Sequence, residues 1–247
     1  MPAAACGVVG FKPPHGRVPC DPPFNLDLYC HCGPLARTVA DCALYENVLA
    51  GPAAEDHTTL RDPLVLPDAM PGVQGLRIAV SPDLGDWPVE ADVRANTLAV
   101  GEALRQAGAI VEEVELTLSR ADVTTGWELE AALWAPMGAL FERFDALIVP
   151  TSCRAGLEAG EDYVETTVRA AGVELADHLE NFLTPVFNIF SRCPVLAVPS
   201  GFGARNAPTG VQIAGRTYDD LTVFRIGAAL EAVRPWVTRP AVEALAA

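Results

Sequence analysis

The stretch Leu76-Arg77-Ile78-Ala79-Val80-Ser81, followed by Val93, Thr97, Val100 and Leu104 and then by residues 110–116 (IVEEVEL), decides the fold class. Residues 76–81 form a short apolar run bounded by Gly75 and Pro82, the mark of a buried strand. The next four residues recur at helical spacing and stop at Gly108. Val114 and Leu116 alternate with Glu113 and Glu115, so the second strand keeps one solvated face. Two strands joined by one helix predict a parallel pair with a right-handed crossover.

Working outward, residues 145–150 (DALIVP) read as another buried strand, and 194–200 (PVLAVPS) and 211–214 as two more. Residues 163–183 read as a helix broken at Pro185. Residues 219–233 read as the last helix, with Leu221, Phe224 and Ala228 on one face. Upstream, Thr38 is the expected N-cap of a helix, with Asp41 three residues on as a variant capping box. Its expected buried face is Val39, Ala43, Leu44 and Val48, and Gly51-Pro52 ends it. Residues 1–36 read as loops and short extended pieces, and 52–75 as a surface connection rich in proline and charge. Strands alternating with helices give an α/β class with helices on both faces of the sheet. There is no internal repeat and no low-complexity segment.

The 247 residues carry 17 Lys+Arg against 32 Asp+Glu, a formal charge of −15. That balance excludes nucleic acid and anionic membrane surfaces as expected partners, since both need clustered basic residues. Half the residues are hydrophobic and 20% are charged, a globular composition. No apolar run reaches the ~18 residues of a membrane-spanning helix. The opening MPAAACGVVGFKPPHG has neither the basic nor the long apolar region of a signal peptide. With the seven cysteines then read as reduced thiols, a cytoplasmic location is expected. Sixteen of the 17 basic residues are arginine, so any lysine base would have to be Lys12.

Candidate chemistry is sparse. None of the five serines stands in G-x-S-x-G. Ser152 and Ser200 closely follow predicted strands, where α/β enzymes place functional groups, but loop serines more commonly satisfy backbone. Cys30-His31-Cys32, with Cys20 and His15, is a possible tetrahedral zinc set. Against it, structural zinc sites pair ligands as C-x₂₋₄-C, and C-x-C lacks that reach, so no metal is expected. Gly201-Phe202-Gly203 reads as a hairpin turn, because Asn206 stands where a phosphate loop needs its third glycine. His57 and His178 read as surface residues. From the residues alone there is no complete catalytic constellation.

Five blocks in order are similar to the amidase signature family, serine hydrolases that cleave carboxamides. They are Pro2 to Val18 (PAAACGVVGFKPPHGRV), Cys32 to Asp41 (CGPLARTVAD), Gly75 to Val80 (GLRIAV), Phe144 to Thr151 (FDALIVPT), and Asn188 with Pro194–Pro199 and Pro208-x-Gly210-x-Gln212-x-x-Gly215. The resemblance implies a mixed, largely parallel sheet flanked by helices, like the C-terminal half of that fold. It implies hydrolysis of a C–N bond through an acyl-enzyme, with a small amide as substrate and no cofactor or metal. The family uses a Lys–Ser–Ser triad and a glycine-rich oxyanion loop. Its nucleophile stands four residues before the proline that Pro2 matches, with the other parts earlier still. Lys12 matches the separate lysine of the family's G-x-K-P segment. The catalytic set is therefore expected to be absent from residues 1–247, read as one partial amidase domain.

Further departures are implied. Residues 117–143 occupy an interval where the family carries a long substrate-facing insertion, so this region is expected to be shortened. Ser191-Arg192 stand where a glycine is common, and the spacing from Asn188 to Pro194 is one residue longer than usual. Thr151 and Asn188 are the candidate substrate-binding residues, each with an ordinary alternative as a turn hydroxyl or a backbone-satisfying side chain. Three readings stand side by side: part of a longer amidase, one half of a split amidase, or a non-catalytic scaffold. The isolated chain is expected to be inactive and prone to self-association through an unpaired sheet edge, whereas a stable monomer would favour the scaffold reading.

Overall fold

The expected βαβ unit forms in the structure, a computed structural model describing residues 2–119, 130–163 and 166–236. Strands β3 (Arg77–Val80) and β4 (Ile110–Glu113) pair in parallel, with helix α3 (Ala91–Gln106) between them. β4 ends at Glu113, earlier than predicted, because its partner ends at Val80. Val114 N–H still reaches Val80 O at 2.9 Å before the chain leaves.

The remaining strands extend this unit into a seven-stranded sheet ordered β2-β1-β8-β9-β5-β3-β4. They are β1 (Val9–Lys12), β2 (Leu35–Ala36), β5 (Ala146–Pro150), β8 (Val195–Phe202) and β9 (Pro208–Gly215). The sheet is mixed and flanked by helices, an α/β fold. The expectation of a largely parallel sheet is corrected: two of its six ladders are parallel and four antiparallel. The reason is the connection at 203–207. It is too short for a crossover helix, so β8 and β9 form a hairpin and β9 meets β5 antiparallel.

Strand alternation then sorts the two faces. Val9, Phe11, Ile78, Val80, Ile148, Leu196, Val198, Val211 and Ile213 bury one face against α2 (Val39–Leu49), α3 and α6 (Asp220–Val233). On the other face, Ala79, Leu147 and Val149 pack with Met137, Leu140 and Phe141 of α4 (Glu130–Arg143) and with Phe187 of α5 (Pro185–Ile189).

Thr38 caps α2, its hydroxyl accepting from Asp41 N–H, and Asp219 caps α6. The buried stripe of α2 differs from expectation: it is Val39, Cys42, Ala43 and Glu46, whereas Leu44 and Val48 are 62% and 75% exposed. Leu44 follows Ala43 by one residue, a rotation of about 100°, which carries the Leu44/Val48 pair off the packed face.

The helix expected over 163–183 is also corrected. β6 (Arg169–Ala170) and β7 (Val173–Glu174) form a hairpin around Ala171-Gly172, both with positive φ, and a short 3₁₀ turn follows at His178–Asn181. Residues 164–165 lie outside the described residues. Pro185 opens α5 rather than breaking a helix, because at the first helical position its missing N–H costs nothing.

Candidate functional site

The face buried under α4 and α5 at one end of the sheet is open at the other. On β1 the residues alternating with Val9 and Phe11 are Gly10 and Lys12. On β8 they are Val195 and Ala197, and on β9 they include Gly210 and Gln212. Small and polar residues therefore floor a cleft of about 640 Å³. Its walls are Pro2 and Ala3, the segment His31–Leu35, and Leu179, Phe182, Thr184, Phe187 and Asn188.

The first wall is α1 (Pro2–Cys6), a helix within the segment read as loops. It rests directly on the sheet. A Cβ at Gly10 would stand 2.6 Å from Ala3 Cβ, and one at Gly210 would stand 2.5 Å from Ala4 Cβ. Neither approach survives a larger residue unless the helix moves.

Polar contacts converge on one backbone carbonyl, that of Ser191. It receives His15 N–H at 2.9 Å and Lys12 Nζ at 3.4 Å, and it faces His31 Nε2 at 3.1 Å. Lys12 Nζ also donates to Pro13 O at 3.3 Å. Burial lowers the Lys12 ammonium to about 7, outweighing the opposing influence of Cys193 and Asp220. Burial, and then the Lys12 charge, lowers His31 to about 4, so its ring is neutral at pH 7. A neutral imidazole donates one proton, while the two His31 nitrogens face two carbonyls, Ser191 O and Tyr29 O. Buried Gln212 donates from Nε2 to Pro150 O at 3.1 Å, fixing its amide in the floor.

The two predicted binding residues part company. Asn188 is exposed on α5 and lines the cleft. Thr151 is buried behind it and lines no part of it. Its N–H and its hydroxyl both donate to Gly210 O at 3.0 Å. Ser152 Oγ donates to Arg154 O, and Ser200 Oγ shares a hydrogen bond with Thr209 Oγ1. Among the described residues no serine or threonine hydroxyl bonds to Lys12 or His31, and no cluster of three or more His, Cys, Asp or Glu stands ready for a metal. No helix of the described residues is long and apolar enough to cross a membrane.

Sequence reading does not identify Lys12, His31 and Gln212 as cleft residues. Lys12 stands out only as the single lysine and His31 only as a possible metal ligand. The available signal is alternation: Val9-Gly10-Phe11-Lys12 and Val211-Gln212-Ile213 each place their polar residue opposite a buried apolar face.

Comparison with known proteins adds the context. Residues 1–123 match the family model described as Amidase. The chain is 28% identical over 302 positions to an acylamidase of Rhodococcus erythropolis, covering 99% of this chain and 61% of that protein. It is 28% identical over 315 positions to a subunit of the glutamyl-tRNA(Gln) amidotransferase of Chloroflexus aggregans, covering 97% of this chain and 62% of that protein. The crystal structure of a bacterial aryl acylamidase of the amidase signature family superposes with a TM-score of 0.84 at 24% identity, covering 95% of this chain and 60% of that one. The chain thus spans about three-fifths of the length of the relatives it matches.

Proposed function

We propose, from the premise that this chain belongs to the amidase signature family, that it supplies the substrate-cleft portion of an enzyme that hydrolyses a carboxamide C–N bond. One observation carries the reading: Pro2 lines the cleft. The family's nucleophilic serine stands four residues before the matching proline. Four extended residues span at most ~14 Å, so a serine on a segment leading into Pro2 lies within reach of the cleft.

In this reading the triad comes from a complementary N-terminal segment or chain. Its serine attacks the amide carbonyl, the amine departs, and water releases the acyl group. The present chain binds and orients. Gly10 and Ala197 leave room for a flat acyl group over β1 and β8, while Leu179, Phe182 and Phe187 offer it an apolar wall. The Asn188 and Gln212 side chains offer amide groups to a polar substituent. Lys12 acts as a brace between β1 and the turn before β8, not as the base. The 302 aligned positions exceed the 247 residues of this chain, so at least 55 face gaps here. A shortened region at 117–143 is where we place such gaps; residues 120–129 of it lie outside those described.

The test compares the purified chain with the same chain co-expressed beside an N-terminal amidase half carrying the lysine and both serines. Alone, it is expected to hydrolyse acyl anilides no faster than buffer and to resist fluorophosphonate labelling. Complemented, it is expected to turn over and to be labelled on the supplied serine. Stoichiometric labelling of a serine of this chain overturns the proposal. So does a stable complex without turnover, which moves the scaffold reading to first place.

A further inference from the structure

Three thiols, Cys20, Cys30 and Cys32, sit on the segment between β1 and β2. Cys20 Sγ donates to Cys32 Sγ across 3.7 Å, so Cys32 is the acceptor of the pair. Cys32 is exposed and lines the cleft, whereas Cys20 is half-buried.

Both sulfurs hang from anchored backbone. Cys20 N–H donates to Asp56 Oδ2 at 3.0 Å. Asp56 is itself buried and held by Asn25 Nδ2 at 3.3 Å, Thr58 N–H at 2.9 Å and Thr58 Oγ1 at 2.7 Å. On the other side, Gly33 lies so close to β1 that a Cβ there would collide with Phe11 O. Pro34 O then accepts from Phe11 N–H at 3.0 Å. Contact between the two thiols is thus built into the resting fold, and little chain ordering is left for bond formation.

We propose that Cys20 and Cys32 form a dithiol that low-molecular-weight disulfides, of the class of oxidised glutathione, convert to an intramolecular disulfide bracing the cleft wall that carries His31. The steps balance. The Cys32 thiolate attacks one sulfur of the reagent, the reagent's S–S bond breaks, and one reduced thiol leaves with a proton. Cys20 then loses its proton to solvent and attacks the Cys32 sulfur, displacing the second reagent thiol. The protein loses two S–H bonds and gains one S–S bond, while one molecule of reagent is reduced to two thiols. Burial and the Cys32 contact raise Cys20 to about 11, which suits it to the second step rather than the first. The new link closes residues 20–32 into a ring and restricts the unfolded chain.

The experiment uses the reduced chain carrying Cys6→Ser, which removes the exposed thiol of α1 and leaves six cysteines. After incubation with excess oxidised glutathione at pH 8, peptide mapping is expected to show a Cys20–Cys32 link and the intact mass to fall by two hydrogens. The melting temperature is expected to rise by roughly 5 °C. Cys20→Ser is expected to stop at a glutathione adduct on Cys32, Cys32→Ser to lose the link, and Cys30→Ser to keep it. The proposal is overturned if all six thiols persist, if only mixed disulfides accumulate, or if the link runs through Cys30. The map of the Cys6→Ser chain alone decides this should the other variants fold poorly.

Discussion

The two ends of one sheet face treat the same alternation in opposite ways. Over β3 and β5, Ala79, Leu147 and Val149 point into a packed layer under α4 and α5. Over β1, β8 and β9, the residues in the equivalent phase are Gly10, Lys12, Ala197 and Gln212, and they floor a cleft. The opposite face is buried across its width by Val9, Phe11, Leu196, Val198, Val211 and Ile213. A strand buried on both faces shows what holds the fold. A strand buried on one face shows, in its other phase, where a ligand has room.

The sharpest test of that contrast is a pair of substitutions. Leu147→Ala at the packed end removes a fully buried side chain and is expected to cost about 3 kcal/mol in denaturant unfolding. Ala197→Val at the open end adds volume where there is space and is expected to cost below about 1 kcal/mol. Equal costs would break the contrast, because the cleft floor would then be ordinary core.

A smaller effect sharpens the description of the closed face. Glu46 is 0% exposed on α2, and neither of its carboxylate oxygens has a hydrogen-bond partner among the described residues. Burial, followed by repulsion from Asp220, raises it to about 8, with Arg17 opposing. Arg17 itself pairs with Asp220 at 3.0 Å. The folded value lies above the unfolded one, so the fold favours the protonated acid. Its stability is fully present below about pH 4.5 and is lost as pH rises through 8. Glu46→Gln is expected to stabilise by about 2 kcal/mol at pH 8 and by almost nothing at pH 4, read from unfolding curves at each pH. A gain independent of pH would rule out titration as its cause.

The smallest expected stability change belongs to the cleft wall. Asn188→Ala removes an exposed side chain and is expected to alter stability by less than about 0.5 kcal/mol. In the complemented enzyme it is expected to raise KM for a polar amide severalfold with kcat little changed. A large loss of stability instead would make Asn188 a structural residue.

Local periodicity exposes the parts of the fold that local residues determine. β3, α3, β5, β8 and β9 follow apolar runs and caps visible in the chain, and Thr38 caps α2 as its side chain allows. The hairpin at 169–174 is hidden because its geometry depends on two positive-φ residues, Ala171 and Gly172. The cleft is hidden for a different reason. Lys12 and Gln212 share one surface only because β1 and β9 both pair with β8, at sequence separations no local pattern reports. Thr151 does lie just past a strand end, as expected, but the antiparallel neighbour β9 brings Gly210 O within reach and takes up its hydroxyl.

The seating of α1 on bare glycine has a consequence for the order of assembly. One of its two supports, Gly10, is made a few residues later, whereas the other, Gly210, lies on β9, some 200 residues downstream. During synthesis α1 therefore has half a seat until β9 has emerged. Contacts of such long range are slow to form, and segments awaiting them stay open to other partners. On the ribosome, the wall that closes the cleft at Pro2 is begun before β9 is made and finished only after it.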